Sequence, residues 1–327
     1  MKAAVYTGYG PPDVIQIQDV ETPVPKDDEV LIKVRAASVN PLDYHLMRGV
    51  PRFSRLFFGL RRPKVKIPGR DVAGEVEAVG DKVTQFKTRD EVFGACIGAF
   101  AEYACAPESK LVFKPPKVTF EQAASSPIAG LTALQASRDK GQVKSGHNVL
   151  INGAAGGVGT FAVQVGKWLG ADVTGVCSTR NLEMVRALGA DDVIDYTRED
   201  FTKSDKRYDL LFDLIANHPP AACRRVLKPR GKYIVAGAVG APDGGLLGPF
   251  APFLKVAVLQ PFMGKKFQVF GAKLDKRDLD QIGELIDQGR IRPVIDRSYS
   301  LSDVSEAIRY LLQGHARGKV LISIEQT

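Results

Sequence analysis

The 327-residue chain contains no run of eighteen consecutive apolar residues, so nothing in it has the length of a membrane-crossing helix. Its opening, MKAAVYTGYG, lacks an apolar signal core; with no transmembrane segment, this reads as a cytoplasmic protein. Cysteine is scarce. Cys96, Cys105, Cys177 and Cys223 are scattered without metal-type or redox-type pairs, which argues against disulfides or zinc and predicts buried, reduced thiols. There is no internal repeat and no low-complexity tract. Acidic residues are outnumbered, with 45 Lys and Arg against 37 Asp and Glu, a net charge of +8. That excess suits an anionic ligand such as a phosphorylated cofactor, or mild attraction to nucleic acid or an anionic membrane. No nucleic-acid-binding motif accompanies the charge, so a cofactor is the preferred partner. The length allows two cores of ordinary domain size.

What is present is a glycine-rich stretch, NVLINGAAGGVGTFAVQVGKWLGA, from Asn148 to Ala171. Val149, Leu150 and Ile151 form a short apolar run of the kind found in a buried parallel strand. Gly153, Gly156, Gly157 and Gly159 follow within seven residues. Val158, Phe161, Ala162, Val165, Trp168 and Leu169 then recur at helical spacing, which places the glycines at a strand-to-helix turn. The first amides of such a helix point outward with the positive end of its dipole, and glycine lets a diphosphate touch the backbone. The alternative is a plain tight turn, but the strand before and helix after match a dinucleotide-binding fingerprint.

Residues 1–118 read as strands and turns punctuated by prolines, an irregular β-barrel. Glu29–Val34 alternates with Val30, Ile32 and Val34 on one face; Val72–Val79 does the same, and Ala99–Ala106 closes the segment. KPPK at 114–117 marks a boundary, and Thr119 starts a helix with Gln122 at the capping-box position. A βα rhythm follows: strands at 172–177, 192–195, 208–214 and 231–236, helices over 181–188 and to about 227, and a last strand at 268–271. Alternation of this kind predicts a doubly wound parallel sheet. Residues 275–289 and 302–313 are amphipathic helices, the second with Val304, Ala307, Ile308, Leu311 and Leu312 on its apolar face. The terminal strand, Lys319–Ile324, is expected to rejoin the first domain.

The second strand of the α/β segment ends in VCSTRN, with no carboxylate between Val173 and Leu182. A carboxylate there would bind the ribose diol of NAD. Ser178 and Arg180 stand in its place and suit a 2′-phosphate through charge-assisted bonds. NADPH is therefore the expected cofactor, against the alternative that Arg180 is a solvated helix-start residue.

The motifs EVLIKVRAASVNPLDYHLMRG, IPGRDVAGEVEAVG, FAEYA, AGLTALQA, NGAAGGVGTFAVQ, LGADDVIDY and HARGKVLI resemble, nearly end to end, the zinc-free quinone oxidoreductase branch of the medium-chain dehydrogenase/reductase superfamily. The nearest flavour is the group of chloroplast-envelope oxoene reductases and the mitochondrial reticulon-interacting reductase. The resemblance implies an α/β fold: a GroES-like β-rich catalytic domain (1–118, with 273–327 returning to it) around a Rossmann NADP-binding domain (119–272). Zinc members hold their metal with Cys, His and Cys, where this chain has Asn40, Arg70 and Ile128, and the four-cysteine lobe is missing. Without soft or imidazole ligands no tetrahedral zinc site forms.

Hydride transfer to an acceptor that needs little acid help remains: a quinone, or an α,β-unsaturated carbonyl, which takes hydride at the far carbon and becomes a delocalised enolate. The resemblance further implies that Asn40 and Thr132 face the nicotinamide and substrate carbonyl. Ala155, Gly156, Gly157 and Val158 would cradle the diphosphate, Tyr196 would lie near the adenosine phosphate, and Gly237, Ala238 and Val239 would hold the carboxamide. Asn40 as a turn former and Tyr196 as a packed surface aromatic stay open. Many family members carry Tyr where this chain has His45 and Pro51, so no family proton donor carries over; Tyr44 or His45 would substitute, while Asp71 braces its loop. Arg48–Lys66 mixes seven cations with Phe53, Leu56, Phe57, Phe58 and Leu60. It reads either as a lid or peripheral patch for acyl carriers or membrane surface, or as a solvated loop with an apolar anchor. Leu246–Met263 is expected to line an apolar pocket or a dimer contact. The expected partners are a small quinone or enone and, by resemblance, a second copy of the chain in a homodimer. An enoyl-thioester reductase and a non-catalytic NADPH-binding protein are the alternative functions.

Overall fold

Val30, Ile32 and Val34 repeat with the period of a pleated strand. In the computed structural model, which describes residues 1–50, 55–236 and 266–325, all three are fully buried. They lie within one of two units, made of Met1–Ile128, Leu274–Gly289 and Ile295–Thr327. Its strands are β1 (Lys2–Val5), β2 (Gln16–Asp19), β3 (Glu29–Val39), β4 (Asp71–Val79), β5 (Glu91–Ala95), β6 (Tyr103–Pro107) and β7 (Leu111–Phe113). Sequence alternation over 99–106 thus becomes a strand only from Tyr103; Ala101 makes just an isolated bridge to Ala3.

The other unit, Ala129–Lys273 with Arg290–Val294, holds β8 (Asn148–Asn152), β9 (Asp172–Cys177), β10 (Asp192–Asp195), β11 (Tyr208–Asp213), β12 (Leu227–Val235) and β13 (Phe267–Val269). All neighbours are parallel and run in the order β10-β9-β8-β11-β12-β13. Numbered within the unit this is three-two-one-four-five-six, the doubly wound Rossmann order, whose direction reverses between β8 and β11. Leu150, Leu211, Phe212 and Ile234 are fully buried at the centre of the sheet.

The chain then returns to the first unit with β14 (Ile295–Ser300) and β15 (Lys319–Ser323). β15 pairs antiparallel with β3, completing a sheet of order β14-β15-β3-β4-β5-β7 with β6 also on β3. This β-rich unit, built from both ends of the chain, is the GroES-like part.

Helices in chain order are α1 (Pro41–Arg48), α2 (Arg55–Phe58), α3 (Phe120–Ala124), α4 (Pro127–Gln135), α5 (Gly157–Trp168), α6 (Leu182–Ala187), α7 (Pro220–Arg225), α8 (Lys276–Asp287) and α9 (Val304–Leu312). α3 starts as its sequence demands: Thr119 Oγ1 accepts the Gln122 amide at 3.2 Å and Gln122 Oε1 accepts the Thr119 amide at 3.0 Å. It packs on β3, β4 and β5, so the first unit extends past KPPK to Ile128. α8 buries Leu279, Ile282, Leu285 and Ile286. α9 buries Val304, Ala307 and Ile308, but Leu312, in its last turn, is 41% exposed. Trp168 is likewise an exposed end of α5, not part of its buried stripe, which runs from Gly159 to Gly166. The four cysteines are free, three of them buried and Cys105 half-buried. Burial pushes the Cys105 and Cys177 thiols up to about 11 and Cys223 up to about 12, which keeps them unreactive at neutral pH. Among the described residues no helix is long and apolar enough to cross a membrane.

Candidate active site

The three spaced glycines at the start of α5 do three different jobs. Gly153, straight after β8, has φ of +90°, a conformation that a residue with a Cβ rarely adopts. Gly159 sits so close to the turn that a Cβ would run into the Gly153 carbonyl oxygen and the Ala154 backbone. Gly156, which caps the helix in an extended conformation, is open: a Cβ there would meet only the Gly153 oxygen, at 3.5 Å. Any side chain at 156 would therefore fill a cradle that the backbone leaves clear. Gly156, Gly157 and Val158 are partly exposed and Ala155 buried. First-turn amides such as those of Gly157 and Val158 have no acceptor inside the helix and carry its positive end. These residues fit a diphosphate.

The turn is anchored beneath by a polar group that sequence reading missed. Asn152, the last residue of β8, donates to Asp213 Oδ1 at 2.8 Å and to Asn217 Oδ1 at 3.1 Å. Fully buried Asp213 also accepts the amides of Ile215 and Ala216 and the Tyr233 hydroxyl. The ends of β8 and β11 are thereby locked together where the sheet order reverses.

Ser178, Arg180 and Tyr196 gather at one rim. Ser178 follows β9 directly, and the Tyr196 amide donates to the Cys177 carbonyl at 3.1 Å, so both lie at the carboxyl ends of neighbouring parallel strands. Arg180 is exposed and Tyr196 is 57% exposed. The fold does bring a carboxylate to this rim, from the next strand: Asp195 accepts the Thr179 hydroxyl at 2.6 Å and both the amide and hydroxyl of Thr197. The Thr179 hydrogen bond, with those from Thr197, holds this carboxyl below the usual range. It is 5% exposed, and its oxygens brace the turn that begins at Ser178 through Thr179.

In the β-rich unit, Asn40 is 4% exposed and caps α1. Its Nδ2 donates to Asp71 Oδ2 at 2.9 Å and to the Ser38 carbonyl at 3.3 Å, and its Oδ1 accepts from Lys319 Nζ at 2.7 Å. Asp71, fully buried, also accepts the Ser38 hydroxyl at 2.6 Å and the Ile128 amide at 3.1 Å, with Lys319 Nζ at 3.4 Å. Asn40 and Ile128, two of the three positions that the resemblance sets against the ligands of zinc members, thus meet on one carboxylate. The third, Arg70, lies half-buried beside a narrow pocket shared with Tyr6, Asp43, Ile67 and Ile97. Asp43 accepts the Asn40 amide at 2.8 Å. Burial pushes its carboxyl up to about 7; the Asn40 amide opposes that rise and the Asp71 carboxylate adds to it. Lys319 and Asp43 carried no role in the sequence reading, although each lies inside a quoted motif.

Tyr44 is buried on α1 and its hydroxyl accepts from Arg48 Nη1 at 2.7 Å. His45 beside it is partly exposed, its ring 5.7 Å from that of Tyr44. Thr132 is buried on α4, in the other unit. Gly237, Ala238, Val239 and the whole of Leu246–Met263 lie outside the described residues, as do Pro51 and Phe53. In the rest of the basic loop, Arg55 donates to the carbonyls of Gly49 and Arg48 and stacks on Tyr9, whose hydroxyl holds the Gly59 carbonyl. Leu56, Phe58 and Leu60 are exposed, and among the described side chains Arg55 ties the loop to Gly49 and Arg48.

The sequence matches the family model described as alcohol dehydrogenase GroES-like domain over residues 26–117 and that described as zinc-binding dehydrogenase over 188–322. It is 35% identical to a chloroplastic quinone-oxidoreductase homolog of Spinacia oleracea, over 98% of each chain. It is 34% identical to a chloroplastic NADPH-dependent alkenal/one oxidoreductase of Arabidopsis thaliana, over 98% of this chain and 79% of that one. The solved quinone oxidoreductase of Coxiella burnetii superposes with a TM-score of 0.86 at 33% identity, covering 99% of both chains.

Two outcomes are expected. Gly159→Ala forces α5 away from the turn and should cost about 1–3 kcal/mol, read as a lowered thermal midpoint together with weaker dinucleotide binding; an unchanged midpoint contradicts the close approach. Asp43 has a higher pKa folded than unfolded, so its protonation stabilises the fold at low pH and that contribution is lost as pH rises through about 7. Asp43→Asn keeps an oxygen for the Asn40 amide but has nothing to titrate. Its stability relative to wild type in urea unfolding should therefore climb from pH 5 to pH 8, and a pH-independent difference would contradict this.

Proposed function

Because the chain belongs to the zinc-free quinone oxidoreductase branch of the medium-chain dehydrogenase/reductase superfamily, we propose that it is an NADPH-dependent oxidoreductase passing hydride to quinones or to the C=C bond of α,β-unsaturated carbonyls. The observation that carries the reading is the open cradle at Gly156, between a turn at Gly153 whose positive φ favours glycine and a helix start whose first amides have no acceptor within the helix. Reduced nicotinamide supplies the hydride when bound. In this reading, Ala155, Gly156, Gly157 and Val158 hold the diphosphate, and Ser178 and Arg180, with Tyr196 beside them, hold the 2′-phosphate. Asn40 and Thr132 are proposed to face the nicotinamide, and Gly237, Ala238 and Val239 its carboxamide.

A carboxamide, a guanidinium and an aliphatic chain at positions 40, 70 and 128 provide no Lewis acid. The acceptor must therefore carry its own electron sink. A quinone does so through its ring and an enone through its enolate, which solvent or a weak donor protonates. Asn40 has both amide hydrogens engaged within the protein, so toward a ligand it offers only the second lone pair of Oδ1. Tyr44 with its hydroxyl on Arg48, and partly exposed His45, are the proposed donors within α1. A cytoplasmic location and a homodimer belong to the same proposal; the spinach and Arabidopsis relatives are chloroplastic.

NADPH absorbance followed with a quinone, an alkenal and an enoyl thioester tests the assignment. Turnover with either of the first two is expected; faster turnover of the thioester would favour a thioester reductase, and binding without turnover a nucleotide-binding protein. Arg180→Ala should weaken NADPH binding by about 10- to 100-fold while leaving NADH binding little changed, as read by fluorescence titration. Equal loss for both nucleotides would remove the 2′-phosphate from the account.

A further inference from the structure

A buried carboxamide whose three contacts are an ammonium, a carboxylate and a carbonyl has only one orientation open to it. In Asn40 the oxygen faces Lys319 Nζ at 2.7 Å, and the nitrogen faces Asp71 Oδ2 at 2.9 Å and the Ser38 carbonyl at 3.3 Å. Turned over, it would set its NH2 group against the ammonium and its oxygen against the carboxylate, a repulsive arrangement at both ends. Lys319 and Asp71 have side chains only 4% and 0% exposed, so water does not screen these contacts. Lys319 arrives from the last strand, 279 residues away in sequence, and it is held there by the pairing of β15 with β3.

We infer that Lys319 is the positioning residue of the site: its ammonium sets the orientation of the Asn40 carboxamide, so that Asn40 meets a ligand as a hydrogen-bond acceptor for an O–H or N–H group. The consequence for turnover rests on the proposed oxidoreductase function; the orientation itself does not. Lys319 Nζ also lies 3.4 Å from Asp71 Oδ2, and the other oxygen of that carboxylate accepts the Ile128 amide at 3.1 Å.

The test uses the full-length protein. Side-chain amide signals of Asn40, identified by their disappearance in Asn40→Ala, should form a widely separated, slowly exchanging pair in wild type. In Lys319→Met they should shift and exchange faster, and in Lys319→Arg recover in part. With NADPH and the best acceptor, Lys319→Met should lower kcat on the order of 10- to 100-fold with a much smaller change in KM. Asn40→Ala should lose a similar factor, and the double variant should lose no more than either alone. Because Lys319→Met leaves Asp71 as an unpaired buried charge, Lys319→Met with Asp71→Asn, read against Asp71→Asn alone, replaces it if the single variant folds poorly. Unchanged Asn40 signals without Lys319, or losses that multiply in the double variant, would overturn the inference. The signals decide it without turnover, so a wild type that oxidises no NADPH with any acceptor would sink the proposed function separately.

Discussion

Asp71 is a carboxylate with no exposure to solvent, and such a group has to be satisfied by the protein itself. Its two oxygens accept from Ser38, Asn40, Ile128 and Lys319, residues 33, 31, 57 and 248 positions away in sequence. That requirement knits the end of β3, the cap of α1, the start of α4 and the terminal strand into one place. The long return of the chain to the first sheet is thereby more than edge covering. β15 contributes the cation without which the Asp71 charge would be buried alone, and the same cation fixes Asn40. Packing and site geometry here have a common cause.

The dinucleotide-binding unit meets a parallel constraint with other materials. Strands with apolar centres, such as β8 and β11, are held in a parallel sheet whose order reverses between them, and the polar residues at their ends, Asn152 and Asp213, are hydrogen-bonded across that reversal. The glycine turn rests on this pair. Its openness at Gly156 and its crowding at Gly159 are two sides of one backbone path: the helix must come close enough to present its amides, and nothing may stand in front of them. Asp195 shows how local chemistry is redirected by neighbours, since the hydrogen-bonding capacity of a carboxylate near the second strand is taken up by Thr179 and Thr197.

Much of this was legible from residue order. The period-two pattern at Val30, Ile32 and Val34, the βα rhythm after residue 148 and the capping box at Thr119 and Gln122 are local signals, and the elements formed close to where they predicted. The glycine spacing marked the cradle for the same reason, because each glycine answers a demand of its own backbone. Errors fell at ends: Leu312 and Trp168 carry the right period but are exposed, and residues 100–102 make only a short bridge to β1 before the strand at Tyr103.

What the sequence determined by itself, then, is whatever depends on neighbours within a few positions: strand and helix type, the strand–turn–helix cradle, and the lack of a carboxylate between Val173 and Leu182. Only the tertiary structure decided that Lys319 meets Asn40, that Asp71 gathers four donors, that Asp195 braces the Ser178 turn, and that Asp43 sits where burial raises its carboxyl to about 7. Desolvation and hydrogen bonding act over a few ångströms in space, and the strand pairings that create those distances join residues more than two hundred positions apart.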